Sequence, residues 1–253
     1  MNGIKTYQAY RFEQAESEER NESITEEKPL RILINDEPFT VTMRTPGMDG
    51  ELVIGLLYNE DVLSSIKDIV IITTQSDVMD VAEVIIPDEF LKEGYMNARN
   101  FLSVSSCGVC GKTDLPEITG RLSADQQIEH HFILQGLEQM RSQQTIFEQT
   151  GGCHAAAVLD DRGNIIALGE DIGRHNAVDK IIGHLLLNDL IKDAHTLLVS
   201  GRISYEIVIK CFRAKIPVLA AVSAPSSLAI DYAKELGINL FAFCRKTRLT
   251  QFS

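Results

Sequence analysis

Two β-rich runs, Leu30-Arg31-Ile32-Leu33-Ile34 and Phe39-Thr40-Val41-Thr42-Met43, flank the turn cluster Asn35-Asp36-Glu37-Pro38 and predict a β-hairpin. Asp49 then opens a predicted helix with an apolar stripe at Leu52, Val53, Leu56 and Leu57. Residues 66–74 and 78–87 read as two further strands, and 130–149 as a helix. The stretch 100–115 is dense in Ser, Gly and Cys and has neither period. It reads as a loop, and one so rich in reactive side chains is unusual for a mere connection.

From Cys153 onward the pattern alternates. Strands are predicted over 153–159 and 165–168 around the turn Asp160-Asp161-Arg162-Gly163-Asn164. A helix over 176–187 carries Val178, Ile181, Ile182 and Leu185 on one face. Short apolar strands at 196–199, 217–222 and 239–244 alternate with helices at 205–213 and 226–236. That order predicts parallel β-α-β units, in an α/β chain that is α+β overall. Ligands of such sheets sit beyond the carboxyl ends of the strands, here Ser200-Gly201-Arg202, the segment 223–227 and the segment 245–248.

Composition adds boundaries. Residues 13–28 are rich in Glu and poor in apolar side chains, so 1–29 is expected to be an acidic, partly disordered lead. A β-rich part over 30–149 carries the loop, and 150–253 forms the α/β part. The net charge of −12, from 36 acids and 24 bases, argues against a general nucleic-acid binder. No apolar run approaches the ~18–20 residues of a membrane helix, and the first residues have no secretory pattern. Five cysteines spread over 253 residues suit a reduced, cytoplasmic chain rather than a disulfide scaffold.

The candidate chemistry is concentrated in a few places. Cys107-Gly108-Val109-Cys110 is a C-x-x-C pair in a glycine-rich setting, with Lys112 nearby to favour a thiolate. Three uses compete: sulfur chemistry on a thiolate, half of a metal site, or redox exchange. A zinc knuckle needs a second ligand pair, and Cys153, Cys211 and Cys244 stand alone. Asp171, Arg174, His175 and Asn176 cluster between a strand and a helix, where Asn176 serves equally well as a helix cap. Arg202 can grip phosphate with two parallel hydrogen bonds, and Ser204 can cap the next helix. Arg245, Lys246 and Arg248 lie within four positions at the predicted ligand edge of an otherwise acidic protein.

Several blocks in order resemble one family: Met43 to Pro46 with Glu51-Leu52, Ser105 to Lys112, Thr150 to Ala155, Glu170 to Lys180, Ser200 to Glu206, Ser223 to Ser226 and Phe243 to Arg248. Together they resemble the FdhD family, the formate dehydrogenase accessory sulfurtransferases. The resemblance implies a cytidine deaminase-like three-layer fold with a smaller β-rich N-terminal part, and a cytoplasmic homodimer. It implies a persulfide-carrying sulfurtransferase in molybdenum cofactor biosynthesis. Sulfur would pass from a cysteine desulfurase to the bis-molybdopterin guanine dinucleotide form of the cofactor, for formate dehydrogenase. GDP would then mimic part of that ligand. The resemblance assigns catalysis to Cys107 and Cys110. Cofactor binding falls on Phe243, Cys244, Arg245, Lys246, Thr247 and Arg248, joined by Arg202, with no metal of the protein's own. Zinc deaminase chemistry is not expected, because the chain has no H-x-E and Ser106 rather than Pro precedes Cys107.

Overall fold

A computed structural model describes residues 3–14, 16–92, 95, 118, 120–122 and 129–253. The C-x-x-C pair Cys107 and Cys110, with nearly all of the predicted loop's surroundings, lies outside them. Among the described residues the chain is mixed α/β, with a two-stranded, a four-stranded and a six-stranded sheet.

The four-stranded sheet is built from β3 (Lys28–Ile34), β4 (Glu37–Arg44), β5 (Val70–Thr74) and β6 (Asp80–Ile85), in the order β4-β3-β6-β5. The β3–β4 hairpin turns on Asn35 and Asp36, both at positive φ (50° and 67°). Two left-handed residues form the tight turn whose twist suits a hairpin, and Asn and Asp tolerate that conformation. Alternation then puts Leu30, Ile32, Ile34, Ala82 and Val84 inward. There they meet Leu52, Val53 and Leu57 of α1 (Asp49–Asn59).

The six-stranded sheet runs β12-β11-β10-β9-β7-β8. Its members are β7 (His154–Leu159), β8 (Ile165–Asp171), β9 (Thr196–Val199), β10 (Val218–Ala221), β11 (Asn239–Arg245) and β12 (Arg248–Gln251). Strands β9, β10 and β11 are parallel, whereas β7 opposes both β8 and β9. Helices α4 (Arg174–Leu187), α5 (Tyr205–Arg213) and α6 (Ser227–Leu236) cover one face through Val178, Ile182, Val208, Cys211, Ala233 and their neighbours. Helix α2 (His130–Gln143) covers the other face with Ile133, Leu137 and Met140. The parallel β-α-β units expected from the alternating pattern are present, and with helices on both faces they form the three layers that the resemblance implied.

The two larger sheets are joined helix to helix, α1 against α4. A Cβ on Gly55 would stand 1.9 Å from the Asp179 carbonyl oxygen, and one on Gly183 would stand 1.8 Å from that of Glu51. Only glycine lets the two backbones come so close.

Several expectations are corrected. In the lead 1–29, expected to be partly disordered, the described residues are ordered: β1 (Ile4–Glu13) and β2 (Glu16–Thr25) pair in register as an antiparallel ribbon, and β3 already starts at Lys28. Tyr7, Tyr10, Phe12 and Ile24 supply β-forming side chains between the acids, and Arg11 and Arg20 pair with Glu22. The helix over 130–149 is two, because Gln144 leaves helical geometry before α3 (Thr145–Thr150). Both helices precede residue 150, yet α2 packs on the six-stranded sheet, so the boundary at 149/150 does not follow the packing. Asn176 is no cap, because α4 begins at Arg174. After the basic residues 245–248, an unpredicted strand, β12, folds back along β11 as an edge strand.

Candidate functional site

The topology gathers most of the singled-out residues along one edge. The parallel strands β9 and β11 end there, at Val199 and Arg245, on either side of β10. Because β7 runs the other way, it starts at that edge with His154, which pairs with Asp171 at the end of β8. The segments 171–174, 200–202, 223–226 and 245–248 therefore share one rim. Strand spacing puts the ends of β9 and β11 about 10 Å apart. Helices α4, α5 and α6 all begin just beyond it and offer their unpaired N–H groups.

At the β7–β9 step the contacts are close. Ser200 Oγ accepts the Ala155 N–H at 2.9 Å and lies 3.3 Å from His154 Nδ1. A Cβ on Gly201 would stand 3.3 Å from Arg174 Cδ and 3.4 Å from His154 Cε1. Gly201 thus makes room for the arginine stem beside the imidazole. Arg174 Nε is buried and has no hydrogen-bond partner in the described structure. Burial, then the Arg174 guanidinium, lowers the pKa of His154; Arg202 adds to this and Asp171 opposes it. The ring is accordingly neutral at pH 7 and flanked by two cations. Such a place suits an anion, and phosphate on helix N-termini is the commonest example.

The polar groups behind the rim are fully engaged. Buried Asp171 receives Lys180 Nζ at 2.8 Å, the Gly173 N–H at 2.8 Å, the Thr45 N–H at 3.0 Å and Asn176 Nδ2 at 3.1 Å. His175 Nε2 lies 3.2 Å from Ser204 Oγ and 4.0 Å from Glu206. That use of Ser204 replaces the expected cap, since its side chain makes no capping bond to α5. Asp171 and His175 therefore hold the rim together from behind. Sequence reasoning missed Thr45 altogether; its block had been noticed, but nothing local shows that it reaches another sheet.

The β11–β12 hairpin brings a second cationic group. Arg245, Lys246, Thr247 and Arg248 are all exposed. The pairing of β11 with β12 shifts between Ala242 and Arg245, and Phe243 sits at φ 54° within that bulge. One slipped residue exchanges the faces of everything after it. Phe243 is thrown outward at 40% exposure, its ring centroid 6.2 Å from that of Phe252. Cys244 is turned into the core beside Phe241. Its thiol therefore faces side chains, and burial pushes its pKa up to about 11.

The other described cysteines are equally closed. Burial, with Glu170 and Asp171 adding to it, pushes Cys153 up to about 12, and burial alone raises Cys211. None of the three is a thiolate near neutral pH, the form that nucleophilic sulfur chemistry requires.

The profile of the FdhD/NarQ family matches residues 25–253. The chain belongs to that family. Two relatives, each named a sulfur carrier protein FdhD, illustrate the likeness. The one from Saccharolobus solfataricus is 37% identical over 254 residues, covering 99% of this chain and 96% of its own. The one from Mycobacterium tuberculosis is 42% identical over 242 residues, covering 89% and 88%. A crystal structure of a provisionally named formate dehydrogenase accessory protein from Desulfotalea psychrophila superimposes with TM-score 0.73. It is 22% identical and covers 99% of this chain and 96% of that one. The fold inferred for an FdhD/NarQ chain is the fold found. Of the site residues singled out in the sequence, Arg202 and the Phe243–Arg248 segment share the rim with His154 and Arg174, while Cys107 and Cys110 lie beyond the described residues.

Proposed function

We propose that this chain is a sulfur carrier. In this reading it accepts sulfur from a cysteine desulfurase as a persulfide on Cys107 and passes it to bis-molybdopterin guanine dinucleotide for formate dehydrogenase. The observation that carries the sulfur half is the state of the cysteines. Of five, the three described ones are buried with raised pKa values, so thiolate chemistry falls to Cys107 and Cys110. The name shared by the two relatives supports the same role.

Cys107 as thiolate attacks the outer sulfur of the desulfurase persulfide. A new S–S bond forms on Cys107, and the desulfurase thiolate leaves. For delivery, Cys110 thiolate attacks the inner sulfur of the Cys107 persulfide and closes a Cys107–Cys110 disulfide. The outer sulfur departs as sulfide with both electrons, to the molybdenum centre of the cargo. Two thiols are oxidised, one sulfane sulfur is reduced, and an external dithiol, itself oxidised to a disulfide, resets the pair.

The cargo is a large anion with two guanine nucleotide arms, and the rim fits that class. Arg174 and Arg202 flank His154, and Arg245 ends β11 about 10 Å along the rim from the end of β9 that precedes Arg202, with Lys246 and Arg248 beside it. These cations suit pyrophosphate groups. The outward ring of Phe243 offers a flat face to a base. The protein would act as a cytoplasmic homodimer, with the desulfurase and formate dehydrogenase as its successive partners.

Mass spectrometry after incubation with a desulfurase and cysteine tests the reading. The protein is expected to gain the mass of one sulfur atom, mapped to the peptide holding Cys107 and Cys110 and lost in Cys107→Ala. A protein that gains no sulfur overturns the carrier role and leaves a cofactor chaperone, whereas equal gain on the Cys107→Ala variant overturns the assignment to Cys107.

A further inference from the structure

Thr45 lies just past the end of β4, in the four-stranded sheet's half of the molecule, and is fully buried. All three of its polar groups bond to the other half. Its N–H donates to Asp171 Oδ2 at 3.0 Å, its carbonyl accepts from Lys180 Nζ at 2.8 Å, and its hydroxyl oxygen accepts the Ile172 N–H at 3.0 Å. Asn176 completes the clasp, donating from Nδ2 to the Met43 carbonyl at 2.7 Å and to Asp171 Oδ1 at 3.1 Å. The backbone of 171–173, which delivers Arg174 to the rim, is thus gripped from behind by residues 43–45.

Among the described residues Arg174 has no comparable grip from the front. Its Nε is buried without a partner among the described residues, and its stem rests on Gly201. The place of its guanidinium is therefore set by the backbone that carries it.

We propose that Thr45 is a positioning residue for the anion site: through Ile172 and Asp171 it fixes where Arg174 meets a bound phosphate. The inference rests on the reading of the rim as a nucleotide site. It adds a residue from the opposite half of the molecule, one that touches no ligand itself.

GDP titrated calorimetrically into the full-length protein tests it. Thr45→Val keeps the shape and removes the hydroxyl; GDP affinity is expected to fall roughly tenfold, the scale of one hydrogen bond's loss. Thr45→Ser, which keeps the hydroxyl, should restore it. Arg174→Gln should weaken GDP binding too, and adding Thr45→Val to it should cost no further affinity, because a positioning effect has nothing left to position. A merely structural role would lower the melting temperature of Thr45→Val yet leave GDP affinity unchanged, or add its full penalty in the double variant. Either result overturns the proposal. Should Thr45→Val not fold, Asn176→Ser, which releases the same clasp at Met43 and Asp171, carries the comparison with Arg174→Gln. If the wild-type protein binds no GDP, the nucleotide reading falls and this inference with it. If the wild type binds and the clasp variants bind equally well, the inference alone falls.

Discussion

At the residue scale, His154 is the group most sensitive to what the rim holds. Burial and the two guanidinium groups beside it keep its pKa below the ordinary histidine value. A phosphate between those cations would offset their repulsion and favour imidazolium, so the pKa of His154 should rise on binding. Binding therefore takes up a proton and tightens as pH falls through the raised pKa of the bound state toward the lower one of the free protein. Calorimetry of GDP binding in buffers of differing ionisation enthalpy should show proton uptake that shrinks in His154→Gln. Equal uptake by the two proteins would assign the proton to the ligand's own phosphate instead. The cysteines make a parallel point about single residues. Cys244 stands in the middle of the basic hairpin, and the linear motif offers no reason to treat it differently from Arg245. Only the bulge at Phe243 turns its thiol inward.

Among the elements, α1 and α4 approach most closely and join the two larger sheets. Their contact holds the start of α4, with Arg174, against the sheet that carries Thr45. Gly183 faces the Glu51 carbonyl so closely that even a methyl group must push the helices apart. Gly183→Ala should therefore cost about 1–3 kcal/mol or more of stability, read by urea unfolding, although alanine is the better helix former. A variant as stable as the wild type would mean that the helices separate without penalty. The periodicity of both helices was legible in the chain. Their mutual approach was not, because a glycine within a helix reads as a weak point until its neighbour is known.

Over the whole molecule, charge is arranged to link parts distant in sequence. Arg44 is fully buried and bridges Asp49 at the start of α1 (2.8 Å) and Asp80 of β6 (2.6 Å), while Lys28 of β3 reaches Asp80 at 2.7 Å. Burial pushes the Asp80 pKa up, but hydrogen bonds from Arg44 and Lys28 outweigh it and bring it down to about 2. A carboxylate held below its unfolded value stabilises the fold above that value. The stabilisation is lost as pH falls through the range from 3.8 to about 2. Denaturant unfolding across that range should show wild-type stability declining, with a smaller decline in Asp80→Asn and a lower plateau at pH 7. The same decline in the two proteins would place the acid sensitivity elsewhere. Against a net charge of −12, the basic rim is a local exception, held in place by such pairs behind it.

The chain by itself determined a good deal. Its alternating apolar runs announced the parallel β9-α5-β10-α6-β11 order, and with it the edge where ligands gather. The β3–β4 hairpin was readable because Asn35-Asp36 is a local turn signal, and Arg202 and the basic residues at 245–248 were readable because they follow apolar strands. Tertiary structure decided what the local pattern does not announce. The acidic lead forms a ribbon because β1 finds β2 in register, which charge density alone argues against. Gln144 breaks a helix that its composition would continue. Thr45 reaches Asp171 across 126 positions, and the bulge in β11 selects which of Phe243 and Cys244 meets solvent. Periodicity is a property of neighbours along the chain, whereas a clasp, a close helix crossing or a flipped register belongs to pairs that only folding brings together.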